Sequence, residues 1–182
     1  MSVRLAAVGI ALTSALAASP ADAREKEHRL GLDAGLTMLT VGGTPYVCCG
    51  VGGHYVYGLT DMFNFMAEGS ASIVSFRGAS DTSSSGRPTM ASHVTTGVAY
   101  TLDVATFVPY GGVLVGGYLL NGGALTSPLP LFGGELAIGI DWRLSHTWTV
   151  GFAIRQHELL TKLSTYASYT DAFFTFDYAW GW

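Results

Sequence analysis

The chain has 182 residues, of which 49 % are hydrophobic, 12 % are charged and 24 are glycine, with a net charge of −4. That length suits one domain. The composition excludes a disordered chain, and the acidic balance without a Lys/Arg run excludes a basic nucleic-acid binder. A soluble domain carries about 25 % charged residues, so the shortage of charge needs its own explanation.

Residues 1–23 have the layout of a secretory signal peptide. Arg4 gives the positive start, residues 5–18 form a run dominated by small apolar side chains, and Pro20 breaks the helix. Ala21-Asp22-Ala23 then fits the small-x-small cleavage pattern. The run is too short to cross a bilayer as a helix, which needs about 20 residues. The expectation is an exported domain over residues 24–182. No later stretch of that domain is apolar enough for a transmembrane helix.

The exported domain alternates with period two, the signature of strands. Over residues 29–40, Leu30, Leu32, Ala34, Leu36 and Met38 oppose Arg29, Gly31, Asp33, Gly35 and Thr37. Residues 46–58 are rich in Gly and Tyr, with Val47, Val51, Tyr55 and Tyr57 on one face. Over 62–74, Phe63, Phe65, Ala67, Ala71 and Ile73 oppose Asn64, Glu68, Ser70 and Ser72. Over 93–103, Val94, Val98, Tyr100 and Leu102 oppose His93, Thr95, Thr101 and Asp103. Residues 107–120 are Gly-rich and their faces are not assignable. Over 135–144, Leu136, Ile138, Ile140, Trp142 and Leu144 oppose Glu135, Asp141 and Arg143. Over 148–157, Trp148, Val150, Phe152 and Ile154 oppose Thr149, Arg155 and His157. The last strand sets Phe174, Phe176, Tyr178, Trp180 and Trp182 against Phe173, Thr175, Asp177 and Ala179. This makes eight strands of about 9–11 residues, the length of a tilted span.

Charge placement decides which face points outward. Asp33, Glu68, Asp103, Glu135, Asp141, Arg143, Arg155, Asp171 and Asp177 all fall on polar faces, and the apolar faces of the well-assigned strands carry none. An eight-stranded barrel has room inside only for side chains, and the apolar face is too large and aromatic to fit there. The pattern is therefore inside-out, with apolar residues toward lipid. Lipid tolerates no open sheet edge, so the strands must close. The expected fold is all-β: an eight-stranded antiparallel transmembrane β-barrel in an up-and-down meander.

Link lengths agree. Residues 58–61, 103–106 and 145–147 are tight turns, whereas about 77–91, 121–134 and 158–168 are long, and 41–46 is short but Gly/Pro-rich. Outer-membrane barrels have short periplasmic turns and longer outer loops.

The strand–turn–strand segments Tyr57-Gly58-Leu59-Thr60-Asp61, Leu102-Asp103 through Val108-Pro109-Tyr110-Gly111-Gly112, and Asp141-Trp142-Arg143-Leu144-Ser145 into Thr149-Val150-Gly151 carry a resemblance. So does the aromatic final strand. With these, the chain resembles the small eight-stranded outer-membrane barrels of Gram-negative bacteria, of the OmpA-barrel, OmpX and OmpW kind. The resemblance implies residence among outer-membrane lipids and lipopolysaccharide. It also implies a C-terminal strand ending in an aromatic residue, here Trp182 where Phe is usual, as the signal for the barrel-assembly machinery. OmpW-like barrels further suggest passage of small apolar compounds.

Chemistry in the sequence is thin. The nine inward charges line the lumen, either as a narrow pore favouring cations, with seven acids against two arginines, or as a packed plug. Tyr55, Tyr57, Tyr100, Trp142, Trp148, Tyr178, Trp180 and Trp182 fall near strand ends, as interface aromatics do. None of His28, His54, His93, His146 and His157 has Ser two residues on, the signature of deacylase barrels, and no enzyme is expected. Ser145 and His146 are adjacent but face opposite ways on a strand. Cys48 and Cys49 are vicinal, which disfavours a bond between them, and are expected as two small buried thiols. No Cys/His metal spacing occurs, so no metal or cofactor is expected. Loops 77–91 and 121–134 are the expected surface for a partner. The alternatives are a secreted lipocalin-like barrel binding a small apolar ligand, with its aromatic face inward, or a lipid-modifying enzyme.

Overall fold

The alternation is realised as a closed sheet. The computed structural model describes residues 25–73, 88–103 and 106–181. Eight strands follow in order: β1 (His28–Val41), β2 (Thr44–Gly58), β3 (Phe63–Ile73), β4 (Met90–Thr101), β5 (Phe107–Asn121), β6 (Leu129–Arg143), β7 (Trp148–Glu158) and β8 (Tyr166–Trp180). Each pairs antiparallel with the next, and β8 pairs with β1, which closes the barrel in meander order. A single 3-10 turn at Leu160–Lys162 is the one helical element among the described residues. The signal segment 1–23 lies outside the described residues.

Hydrophobic side chains point outward, as the charge argument requires. Leu32, Val94 and Phe174 are 70–71 % exposed, while Asp33, Thr95 and Thr175 beside them in sequence are buried. The lipocalin-like alternative needed this aromatic face inside, and the structure places it outside. On β8 the outward face is apolar or aromatic from Trp180 up to Phe174. The in-register pair Gln156 and Thr170, hydrogen-bonded at 2.6 Å, marks its upper edge. Ten residue steps at about 3.3 Å each and a tilt of about 40° make that band roughly 25 Å tall.

The three even links leave only four or five residues between strands. In two of them a hydroxyl completes the turn: Thr60 Oγ1 accepts from the Phe63 amide at 3.0 Å, and Ser145 Oγ from the Trp148 amide at 3.0 Å. At the opposite end, Gly42 and Gly43 both take positive φ (57° and 85°), the conformation a two-residue hairpin turn demands.

Three expectations need correction. Strands run 11–15 residues, longer than 9–11. The expected loop 121–134 shrinks to 122–128, because Leu129–Gly134 pairs with β5 as the first part of β6. Pro130 is tolerated there since β6 has no β7 partner before Gly134 and so forms an edge. The link expected at 158–168 narrows to 159–165.

The extra strand length builds something the alternation did not announce. Beyond the outward apolar band, the inward residues are themselves apolar: Leu39, Tyr46, Leu120, Leu131, Leu159, Tyr166 and Tyr169 are buried together across the long-loop mouth. A second small group, Val56, Met66, Ala99, Leu114 and Ala137, packs inside lower down. The interior is therefore not lined by small and polar residues alone. Beyond that band the strands are held together by a dry core, as in a soluble barrel.

Inward glycines make room for large inward side chains. A Cβ on Gly139 would strike the Tyr110 ring, and one on Gly116 would strike the β4 backbone at Val94 and Thr95. Cys48 points inward and is fully buried; Cys49 points outward and is exposed, so only one of the two thiols is buried as expected. Consecutive residues of a strand cannot share a face.

Candidate functional site: the polar interior

Of the nine inward charges expected, seven are buried in the barrel: Asp33, Glu68, Glu135, Asp141, Arg155, Asp171 and Asp177. Asp103 and Arg143 sit at the short-turn rim as an ion pair, with Arg143 partly exposed. Arg29, on the polar face of β1 but not one of those nine, is buried in the barrel too.

The buried charges form two connected layers. Nearer the short turns, Arg29 Nη1 donates to Asp141 Oδ2 at 2.9 Å and lies 4.0 Å from Asp177. His54 bridges Asp33 (Nδ1 to Oδ1, 2.9 Å) and Asp177 (Nε2 to Oδ1, 3.2 Å). Arg155 links the layers: Nη1 donates to Asp33 Oδ2 at 3.0 Å, and Nε lies 3.0 Å from Glu68 Oε2. Its guanidinium also stands 5.6 Å from the centre of the Phe173 ring. Nearer the loops, Thr95 donates to Glu135 at 2.7 Å and Thr37 donates to Asp171 at 2.7 Å. His157 sits between these acids, 3.5 Å from Glu135 and 3.4 Å from Asp171.

Alternation places His93 and His157 on the inward polar faces but assigns no face to His54 and gives none of the three a partner. His54, His93 and His157 are all buried, on β2, β4 and β7. Which acids they meet depends on register across the barrel. His28 and His146 lie elsewhere. His28 stacks on Trp180 at 5.5 Å, and His146 is in an exposed turn.

Register also creates one arrangement that spacing did not suggest. Ser70 and His93 are cross-strand partners. Ser70 Oγ lies 3.2 Å from His93 Nδ1, and His93 Nε2 lies 3.4 Å from Glu68 Oε1. That is the order of nucleophile, base and acid. All three are buried on the inner face, with Ser70 only 7 % exposed, and Ser70 and His93 also border a groove in the wall whose outer side is lined by Leu32, Val51 and Val94.

Beside Arg29, among the described residues, the room inside is small. A cavity bounded by Arg29, His54, Asn64, Met66, Tyr110 and Asp141 has about 10 Å³, room for roughly one water.

The expected interface aromatics ring the outer surface at the short-turn end. Phe63 meets Tyr100 edge-on at 5.3 Å, Phe107 stacks on Trp142 at 5.7 Å, and Tyr178 lies 5.0 Å from Trp148 and 6.0 Å from Trp180. Tyr57 joins them beside His28 at 4.9 Å. Trp182 lies outside the described residues, as do residues 77–87 of the first expected partner loop.

This geometry is shared with solved structures. The N-terminal β-barrel domain of Pseudomonas aeruginosa OprF superimposes with a TM-score of 0.62 at 9 % identity, covering 86 % of this chain and 98 % of that one. Neisserial surface protein A gives 0.63 at 10 % identity, over 87 % and 100 %. The attachment invasion locus protein Ail of Yersinia pestis gives 0.57 at 11 %, over 86 % and 99 %. The chain has the fold of the small eight-stranded outer-membrane barrels. No protein-family model matches the sequence, and neither does any curated protein.

Proposed function

We propose that this protein is an integral outer-membrane barrel with a closed lumen, without catalytic activity, that acts through its long-loop end. The observation that carries the reading is the filled interior. Arg155 is 1 % exposed at mid-barrel, tied to Asp33 and Glu68, and the apolar group around Leu39, Tyr46 and Tyr166 seals the mouth above it. Among the described residues, this seal interrupts the polar route along the lumen. The outward apolar band supports insertion, because a contiguous surface of this kind is not tolerated by water.

In this reading the buried charges, Arg29 among them, are a structural plug, and the aromatics of the short-turn rim sit at a lipid interface. The C-terminal strand serves the barrel-assembly machinery. Loops carry variable function on a rigid frame, which makes the loop end the partner surface. There Thr161 ties the last long link to β6 through Phe132, donating to its carbonyl at 3.1 Å and accepting from its amide at 2.8 Å.

The test is reconstitution into planar bilayers. The expected result is no steady conductance in salt at neutral pH. Stable cation-selective openings would overturn the closed lumen. Labelling of Ser70 by a fluorophosphonate would overturn the non-catalytic reading.

A further inference from the structure

The buried charges of the interior do not balance. Among the described residues six carboxylates are buried (Asp33, Glu68, Glu135, Asp141, Asp171, Asp177) against two guanidiniums, Arg29 and Arg155. Arg29 and Arg155 between them reach four of the acids. Glu135 and Asp171 are the two left, and His157 stands between them.

The atoms at this point are oriented but not bonded. Thr37 holds Asp171 Oδ1 at 2.7 Å, which turns Oδ2 toward His157 Nε2. The Tyr118 hydroxyl lies 3.0 Å from His157 Nδ1 and fixes the other edge of the ring. Nε2 and Oδ2 then face each other at 3.4 Å, fully buried, and make no hydrogen bond; Glu135 Oε1 is likewise buried without one. Buried polar atoms are ordinarily paired. Two ligands on one tetrahedral ion with bonds of about 2.0–2.1 Å stand about 3.3–3.4 Å apart, which is the spacing observed. The His93 ring lies 4.5 Å from that of His157. One donor atom from each of His93, His157 and Asp171 falls within 4.8 Å of the others, and the same holds for Glu68, His93 and Glu135.

We propose that His93, His157 and Asp171 hold one divalent cation of the zinc type inside the barrel, with Glu68 and Glu135 flanking His93 and supplying further negative charge. Two imidazoles and a carboxylate are a donor set suited to zinc. Thr37 and Tyr118 act as the outer groups that orient such ligands. The site is enclosed beneath the apolar seal, so the ion is structural, joins β4, β7 and β8, and enters before the barrel closes.

The test uses untagged protein expressed from the full sequence and extracted from membranes in detergent. Its metal content is measured by mass spectrometry. It is then unfolded with chelator, refolded with Co²⁺ in place of zinc, and its visible spectrum is recorded. The expectation is about one metal per chain and cobalt bands of tetrahedral intensity. His157→Gln and Asp171→Asn should weaken cobalt binding at least tenfold, and Thr37→Val by about 10–100-fold. His54→Gln, in the other layer, should bind as the parent does. Each variant is first checked for a heat-modifiable band, so a misfolded one is not scored. Metal-free extracted protein together with a refolded parent that shows no cobalt bands would overturn the proposal, leaving protons to neutralise the acids. So would binding abolished by His54→Gln and kept by both ligand variants.

Discussion

Nη1 of Arg155 on β7 lies 3.0 Å from Oδ2 of Asp33 on β1, reaching past β8 and joining residues 122 positions apart in the chain. With Glu68 on its Nε, this one side chain connects the two layers of buried charge.

Replacing Arg155 by Met removes the cation and leaves two buried carboxylates without it. Breaking a buried pair in this way costs about 3–5 kcal/mol. Guanidinium unfolding of the detergent-solubilised barrel should show that loss for Arg155→Met. A change below about 1 kcal/mol would mean the network is not holding the interior together.

Adjacent glycines give a sharper contrast. Gly116 faces inward, where an added Cβ meets the β4 backbone, which cannot swing aside as a side-chain tip can. Gly117 faces outward, with nothing within 4 Å of such a Cβ. Gly116→Ala should destabilise by about 1–3 kcal/mol, in the range of overpacking, and Gly117→Ala should be near neutral. Equal effects from denaturant curves would refute the assigned register of β5.

Depth in the bilayer is tested from outside. Phe174 is 71 % exposed within the apolar band, while Gln156 lies at its upper edge. Phe174→Arg should cost about 2–4 kcal/mol in lipid vesicles and Gln156→Arg about 0–1 kcal/mol, as for charges at the midplane and the interface. If water covered this face, Phe174→Arg would be harmless and the difference would vanish.

Legibility in the sequence depended on what each feature required. Face assignment needed only period two, and Phe174, Phe176 and Tyr178 against Thr175 and Asp177 sufficed for β8. Strand ends were hidden, because the alternation of polar and apolar stops at the edge of the band while hydrogen bonding continues; Tyr46, Leu131 and Tyr166 are inward apolar residues beyond it. The glycine pairs Gly111-Gly112 and Gly116-Gly117 hid the faces of β5, since two residues without side chains carry no pattern. The contacts of His93 with Ser70 and Glu68, and the approach of His157 to Asp171, depend on the pairing of β3 with β4 and of β7 with β8. No local spacing encodes that pairing.

The central claim is a closed barrel whose aromatic face meets lipid. Its most direct test is the electrophoretic mobility of the protein in a carbonate-washed outer-membrane fraction, run in SDS with and without boiling. A band retained in the membrane that shifts on boiling is the predicted result, because a closed sheet has no edge from which SDS can unzip it. Recovery in the soluble periplasmic fraction with no heat shift would contradict the account.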